Sequence, residues 1–203
     1  MWETVFTSTF PSAQIPIHVR ACGVPARALL SYEDKENVAR LCAEGCPDYN
    51  RTWSCPPHSP SYSLYEKSFD HAVIVLFYTA LDQFDHIENL DQRIRTANTV
   101  LRSILERSLR SLEKKYQGRM LSSGICRLCL QCSCIDKSSG CKRPKEMRYS
   151  MESLGLHVIK ICADFLNHKL DWCAQGIAPN YVSSVACLLT KKPVDEAELI
   201  YVL

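Results

Sequence analysis

The residues of this chain best suited to chemistry are two groups of cysteines at short spacings. The first group supplies three thiols and the second supplies four: Cys42, Cys46 and Cys55, followed by Cys126, Cys129, Cys132 and Cys141. A metal ion or a cluster needs several thiolates that converge from short stretches of chain. We therefore predict that all seven of these cysteines bind metal.

The second group has the spacing that suits a cubane cluster. In CRLCLQC (126–132) the two-residue gaps let successive sulfurs reach different irons while backbone N–H groups point at the sulfides, as in bacterial ferredoxins. Cys141 then follows as a fourth ligand, which favours an iron–sulfur cofactor of the [4Fe-4S] type. Zinc is the alternative. Cys126 and Cys129 are a pair of cysteines two residues apart, as zinc sites favour, and Cys132 or Cys134 together with Cys141 would complete four tetrahedral ligands.

The first group is one ligand short of a complete site. One interpretation takes a fourth ligand from elsewhere, with Cys22, Cys134 and His58 as the candidates. A second leaves one iron open to a substrate, a sulfur atom or a small molecule, which would make this group reactive and the other an electron relay. A third follows from the proline after Cys55, because a Cys-Pro pair completes the neighbouring cluster in ferredoxins and could complete the one begun by Cys126.

Composition indicates that the thiols are kept reduced. Twelve cysteines in 203 residues is a smaller share than the roughly 8–10% of small disulfide scaffolds. The first residues, MWETVFTSTFPSAQ, lack the basic start and apolar stretch of a secretory signal, and the longest apolar run, AVIVLF (72–77), is too short to span a bilayer. We therefore expect a cytoplasmic protein. Cys162 and Cys187 are predicted to be core thiols, and Cys173 receives no assignment.

Charge limits the partners that we expect. The formal net charge of +2 implies no attraction of the whole molecule to nucleic acid or to an anionic membrane. A redox partner protein or a small-molecule substrate is expected instead. A local basic loop beside Cys141, made of Lys142, Arg143, Lys145 and Arg148, either binds an anionic substrate or an acidic redox partner, or is simply solvated.

The cysteine groups lie on either side of the two strongest predicted elements. Apolar residues recur every three and four positions from His86 to Tyr116, which predicts an amphipathic helix. At about 1.5 Å per residue this helix would be roughly 45 Å long. We expect it to cover one face of a sheet, with a coiled-coil arm as the alternative. The apolar run within 69–81 predicts a buried central strand before it.

Weaker patterns predict the remaining elements. A helix at 35–41 leads into the first cysteine group, and a turn at 150–154 precedes a short helix near 158–165. Strands are predicted at 119–123 and 181–190, and three N-terminal prolines leave only short edge strands at 5–6 and 15–17. We predict an α/β (α+β mixed) fold. It would be a single domain over 1–203, with its core at about 20–190, a small mixed sheet, one long helix and cysteine-rich metal loops gathered at one end of the sheet.

Four linked motifs resemble a known family. The stretches CPDYNRTWSCPP (46–57), CRLCLQC (126–132), CKRP (141–144) and SMESLGLHV (150–158) are similar to the predicted metal-binding proteins called domain of unknown function twenty-two eighty-four. The resemblance spans roughly residues 20–190 and implies that the same seven cysteines are ligands. The family occurs mainly in anaerobic bacteria and archaea, which suits oxygen-sensitive clusters. Asn50 replaces the usual Gly, which is compatible with a left-handed turn, and His157 replaces the usual Asp.

These observations favour an iron–sulfur protein that acts in redox chemistry, with a structural zinc module of a binding or regulatory protein as the alternative. The family resemblance implies metal binding and no reaction. Whether the chain is an iron–sulfur oxidoreductase, or an enzyme with an open-iron substrate site at Cys42, Cys46 and Cys55, is left open by the sequence.

Overall fold

The centre of the fold is a five-stranded antiparallel sheet. A computed structural model describes residues 1–10, 13–137, 139–171, 177–195 and 198–199. The described strands are β1 (Trp2–Phe10), β2 (Ala13–Pro25), β3 (His71–Ala80), β4 (Arg119–Leu121) and β5 (Tyr181–Thr190). Their order across the sheet is β1-β2-β3-β5-β4, and each neighbouring pair is antiparallel.

The predicted α/β class is confirmed, but the described strands form an antiparallel sheet instead of the mixed one that we expected. The reason lies in the position of β5. Because β5 is antiparallel to both β3 and β4, those two strands run parallel to each other, as a strand–helix–strand unit favours. They are not neighbours, since β5 lies between them and supplies the pairing partner of both.

The N-terminal hairpin is longer than the prolines in its sequence led us to predict. Residues 5–6 lie in the edge strand β1, as expected, but both strands are longer than predicted. The edge position expected for 15–17 is wrong, because β2 runs through Pro16 and is an inner strand between β1 and β3. Pairing of β2 with β3 begins only at His18, so the missing N–H of Pro16 removes no bond from that ladder. Pro25 is the last residue of the strand.

Helices and short loops cover both faces of the sheet. The helices are α1 (Lys35–Gly45), α2 (Tyr62–Tyr65), α3 (Leu90–Lys115) and α4 (Val158–Leu166), with 3-10 turns at Ala26–Tyr32, Glu66–Ser68 and Leu81–Phe84. Side chains alternate between the two faces along β3. Val75 and Phe77 pack in the core beneath α3, whereas Ile74 and Leu76 pack in a second core with α4.

The long helix α3 lies on one face of the sheet, as predicted, and is not a free coiled-coil arm. It begins after Asn89, whose side chain accepts a hydrogen bond from the backbone N–H of Gln92 at 2.9 Å. Its apolar stripe, with Leu101, Leu105 and Leu109 at its centre, is buried against the strands. None of the helices in the described ranges is long and apolar enough to cross a membrane.

Candidate metal centre

The second cysteine group lies in a loop, residues 122–150, that leaves β4 and closes on itself. At its base the backbone N–H of Ser122 donates to the carbonyl of Tyr149 at 2.8 Å, and Ser122 and Ser150 form a parallel bridge. Arg148 joins the loop to α3 by donating to both carboxylate oxygens of Glu113, at 2.5 and 3.0 Å. The loop therefore has a fixed base from which to hold its thiols.

All four thiols of this group line one small pocket, as the spacing predicted that they would converge. Cys126, Cys129, Cys132 and Cys141 are each half-buried, and Trp53 of the first cysteine loop forms part of the same wall. Burial raises the pKa of Cys126, and the other three thiols raise it further by repulsion, while the backbone N–H of Leu128 lowers it by a hydrogen bond. The pocket thus combines four thiols with an N–H donor that would favour thiolate.

The first cysteine group is built from the end of α1 and the loop that follows. The predicted helix is confirmed and extends to Gly45, so that Cys42 lies in its last turn and the backbone N–H of Cys46 donates to the Cys42 carbonyl at 3.0 Å. Burial raises the pKa of Cys42, and Cys46, Glu152 and Cys55 raise it further by repulsion. Cys46 is the exposed member of the group, Cys42 is half-buried and Cys55 is buried.

Three hydrogen bonds join the two cysteine loops. Ser54 Oγ accepts from the backbone N–H of Cys126 at 3.1 Å, and Trp53 Nε1 donates to Ser133 Oγ at 3.1 Å. The thiol of Cys134 donates to the carbonyl of Asn50 at 3.7 Å. The expectation that the fold brings both groups together is confirmed.

The structure separates the three candidates for an additional ligand. Cys134 is buried, and its pKa is raised by burial and then by Cys132 and Cys55, which belong to different groups. His58 Nε2 is hydrogen-bonded to Asn50 Oδ1 at 2.8 Å. Cys22 lies in β2, opposite Ile74 of β3, and its thiol donates to the carbonyl of Gly23. Of the three candidates, Cys134 is the one that belongs to the loop of the second group and contacts the loop of the first, through Asn50.

Other sequence predictions at the site have mixed outcomes. Asn50 has a φ of 57°, the left-handed conformation that its position in the motif indicated. Cys162 and Cys187 are core thiols as predicted, and burial raises the pKa of each to about 12. Cys173 lies outside the described residues. Within those residues, no three His, Cys, Asp or Glu side chains form a group arranged to hold a metal ion as they stand.

The basic loop beside Cys141 is largely paired within the chain. Arg143 donates to both carboxylate oxygens of Glu146, at 3.0 and 2.6 Å, and to the carbonyl of Leu128 at 3.1 Å. Arg148 is committed to Glu113. Two of the four basic side chains therefore form ion pairs within the chain.

Sequence reasoning missed Lys35, which links α1 to two other segments of the chain, at 59–60 and at 153. Its ammonium donates to Ser59 Oγ at 2.9 Å, to the Pro60 carbonyl at 3.0 Å and to the Ser153 carbonyl at 2.6 Å. Burial lowers its pKa, while the charges of Glu33 and Cys42 raise it. The acidic start of α1 located this helix, but nothing in the pattern indicates that its first residue contacts segments far away in the chain.

Removing the Lys35 ammonium is expected to destabilise the protein, because this group holds the segment after the first cysteine group (59–60) against α1. In Lys35→Met, three oxygen acceptors lose a charged donor, and we expect the free energy of unfolding to fall by about 2–3 kcal/mol. Urea denaturation measures the difference. The matched control is Lys67→Met, at an exposed position, which should change stability by less than about 0.5 kcal/mol. Equal stability of the two variants would show that the three bonds contribute little.

Comparison with known proteins agrees with the chemistry of the thiols. A family model described as "Predicted metal-binding protein (DUF2284)" matches residues 30–190 of the chain. No curated protein and no solved structure gives a significant match. The matched region contains both cysteine groups and the elements that position them.

Proposed function

We propose that this chain, which belongs to the DUF2284 family of predicted metal-binding proteins, is an iron–sulfur protein that transfers electrons. One observation carries the proposal: the four thiols of Cys126, Cys129, Cys132 and Cys141 line one pocket. Four cysteine thiolates are the usual ligand set of a [4Fe-4S] cluster, which supplies one-electron chemistry when bound.

The surroundings of the pocket support this cofactor. Hydrogen bonds to sulfur and exclusion of water tune such a site. The backbone N–H of Leu128 donates to Cys126, and the Trp53 ring and Met147 close part of the wall. In this proposal the four side chains close further when the cofactor binds, and the fixed base of the loop limits how far they must move. Half-burial of the thiols leaves the site near enough to the surface for exchange with a redox partner.

Metal analysis after anaerobic purification tests the proposal directly. We expect brown protein that contains iron and acid-labile sulfide in equal amounts, and an absorbance that is bleached by dithionite. Reconstitution with iron and sulfide should restore both after chelation. Colourless anaerobic protein with stoichiometric zinc would overturn it.

A structural zinc module is the second candidate function. The same four thiols favour it, because four cysteines in two short hooks also make a closed tetrahedral zinc site. The chain would then be a binding or regulatory protein, and its metal would stabilise the loop at 122–150. Zinc-loaded protein should show no redox activity and a higher unfolding temperature than the chelated protein.

The first cysteine group has two proposed roles that differ in one ligand. If Cys134 joins Cys42, Cys46 and Cys55, the site is complete and serves as a second relay. If it does not, one iron is open and can bind a substrate, which would make the chain an enzyme. Cyanide added to the reduced protein distinguishes them: an altered electron paramagnetic resonance signal from one site only supports the open iron, and an unchanged spectrum supports four protein ligands.

A further inference from the structure

A cavity of about 520 Å³ lies beside the start of the loop that carries the second cysteine group. Its walls are the N-terminal half of α3, the first residues of β5, and the start of the 122–150 loop at Ser123 and Gly124. Cavities of roughly 300–1,000 Å³ are typical of small-molecule sites. The cavity is therefore large enough for a metabolite-sized ligand.

Cationic side chains outnumber acidic ones in the lining of this cavity. Arg95, Arg102 and Arg127 all reach it. Arg102 donates to Glu106 at 2.8 Å and to the Ile125 carbonyl, and only 11% of its side chain is exposed. Among the ion pairs that the described residues form, none involves Arg95 or Arg127. Within the described part of the chain, these two guanidinium groups have no ion-pair partner and can bind a ligand.

The acidic lining is smaller and already engaged. Burial raises the pKa of the Glu152 carboxyl, which favours its neutral form, and Asp171 accepts a hydrogen bond from the backbone N–H of Asn180 at 2.8 Å. The remaining charge of the cavity is therefore positive, which favours an anionic ligand. Guanidinium groups bind carboxylate and phosphate in particular, because their N–H donors match two oxygens at once.

An apolar wall lies in the same cavity. Ile94 of α3, Val158 of α4 and Val182 of β5 contribute to it, with Tyr181 beside them. A bare inorganic anion would leave this surface uncovered. A ligand with an oxyanion head and an apolar body would use both parts of the lining.

The position of the cavity connects it with the candidate metal centre. Arg127, which lines the cavity, lies between Cys126 and Cys129 in the chain. A ligand held by Arg127 would therefore lie next to the second cysteine group. Binding itself depends on the arginines and does not require the cofactor.

We propose that this cavity binds a small organic anion, whose carboxylate or phosphate head is held by Arg95 and Arg127 and whose apolar body packs against α3 and β5. Its role as the substrate of the redox site rests on the proposed function, whereas binding does not.

Isothermal titration of the anaerobically purified full chain tests the binding. The probes are benzoate, phenyl phosphate and benzamide, which share a ring and differ in the head group, and the metal content of every sample is measured alongside. We expect benzoate or phenyl phosphate to bind with a dissociation constant of about 1 mM or tighter. Stronger binding of one of them identifies the head group.

Matched arginine variants locate the site. Arg95→Met and Arg127→Met should each weaken binding by about tenfold, because each removes a charge-assisted hydrogen bond. Arg107→Met is the control, since Arg107 is an exposed residue of the same helix that does not line the cavity. Weakening by either cavity variant, with the control within about twofold of wild type, supports the proposal.

Three results would overturn the proposal. They are no binding of either anion, equally tight binding of benzamide, or loss of binding in the control to the same extent as in both cavity variants. Anion binding by metal-free protein would leave the cavity proposal standing while the iron–sulfur proposal fails. Iron-loaded protein that binds no anion would give the opposite result.

Discussion

Cys129→Ser is expected to remove the metal of the second cysteine group. Loss of a partner that only orients a ligand already lowers metal affinity by about 10–100-fold, so loss of one of four thiolates should cost more than about 100-fold. Anaerobic purification and quantification of iron, sulfide and zinc measure the effect. The pocket retains three thiols, which cannot complete the four-thiolate set.

Cys22→Ser provides the matched control. Cys22 is also half-buried, but it lies in β2 and does not line the pocket. We expect this variant to retain wild-type metal content. Equal metal content in Cys129→Ser and the wild-type protein would remove Cys129 from the ligand set.

Arg148→Met is expected to cause the largest loss of stability among the charged residues. The Arg148 and Glu113 side chains are each only 10% exposed, so removing the guanidinium leaves a carboxylate buried without its main partner. Breaking a buried ion pair in this way typically costs about 3–5 kcal/mol. Guanidinium chloride denaturation of the variant measures the change in the free energy of unfolding.

Arg143→Met is the matched control for this prediction. Arg143 also forms an ion pair with a glutamate and belongs to the same loop, but its side chain and that of Glu146 are 45% and 54% exposed. Such exposed pairs contribute about 0–1 kcal/mol. If both variants lose the same stability, burial of the Arg148 pair is not the source of its effect.

The same ion pair predicts the pH dependence of stability. Burial raises the pKa of Glu113, but hydrogen bonds from Arg148 and the Met120 N–H, with the charges of Arg148 and Arg110, lower it overall. A carboxyl with a depressed folded-state pKa stabilises the fold above its unfolded pKa of about 4.3 and loses that contribution as the pH falls through the folded-state value. In Arg148→Met, the free energy of unfolding should therefore fall less steeply with decreasing pH than in the wild-type protein, which acid denaturation measures. An unchanged acid limb would contradict the assignment.

Local patterns in the sequence predicted most of the elements. The leucine spacing of α3 and the apolar run of β3 were sufficient to predict a helix and a buried strand, because each element buries the residues that form its apolar pattern. β2 was underestimated because a proline is acceptable wherever its N–H is not needed by the ladder, and only the pairing register reveals where that is. The position of β5 between β3 and β4 depends on tertiary packing, and no local sequence pattern indicates it.

In the candidate site, the thiols were predictable from the sequence, whereas the contacts that support them were not. Repeated cysteine spacing is local, so the thiols that line the pocket were identified from the sequence. The support around them is long-range: Ser54 binds the Cys126 N–H, Lys35 binds the Ser153 carbonyl, and Arg148 binds Glu113. These contacts join segments between 35 and 118 residues apart, and no periodicity in one chain reports them.

The place of β5 in the sheet also affects the order in which the chain matures. Synthesis proceeds from the N-terminus, and both cysteine loops leave the ribosome before β5, an inner strand that pairs with β3 and β4. The newborn thiols therefore pass through a period in which the cores behind them are incomplete. During that period the thiols are open to other metals and to oxidants, so we expect stable retention of the proposed cofactor only after β5 has paired.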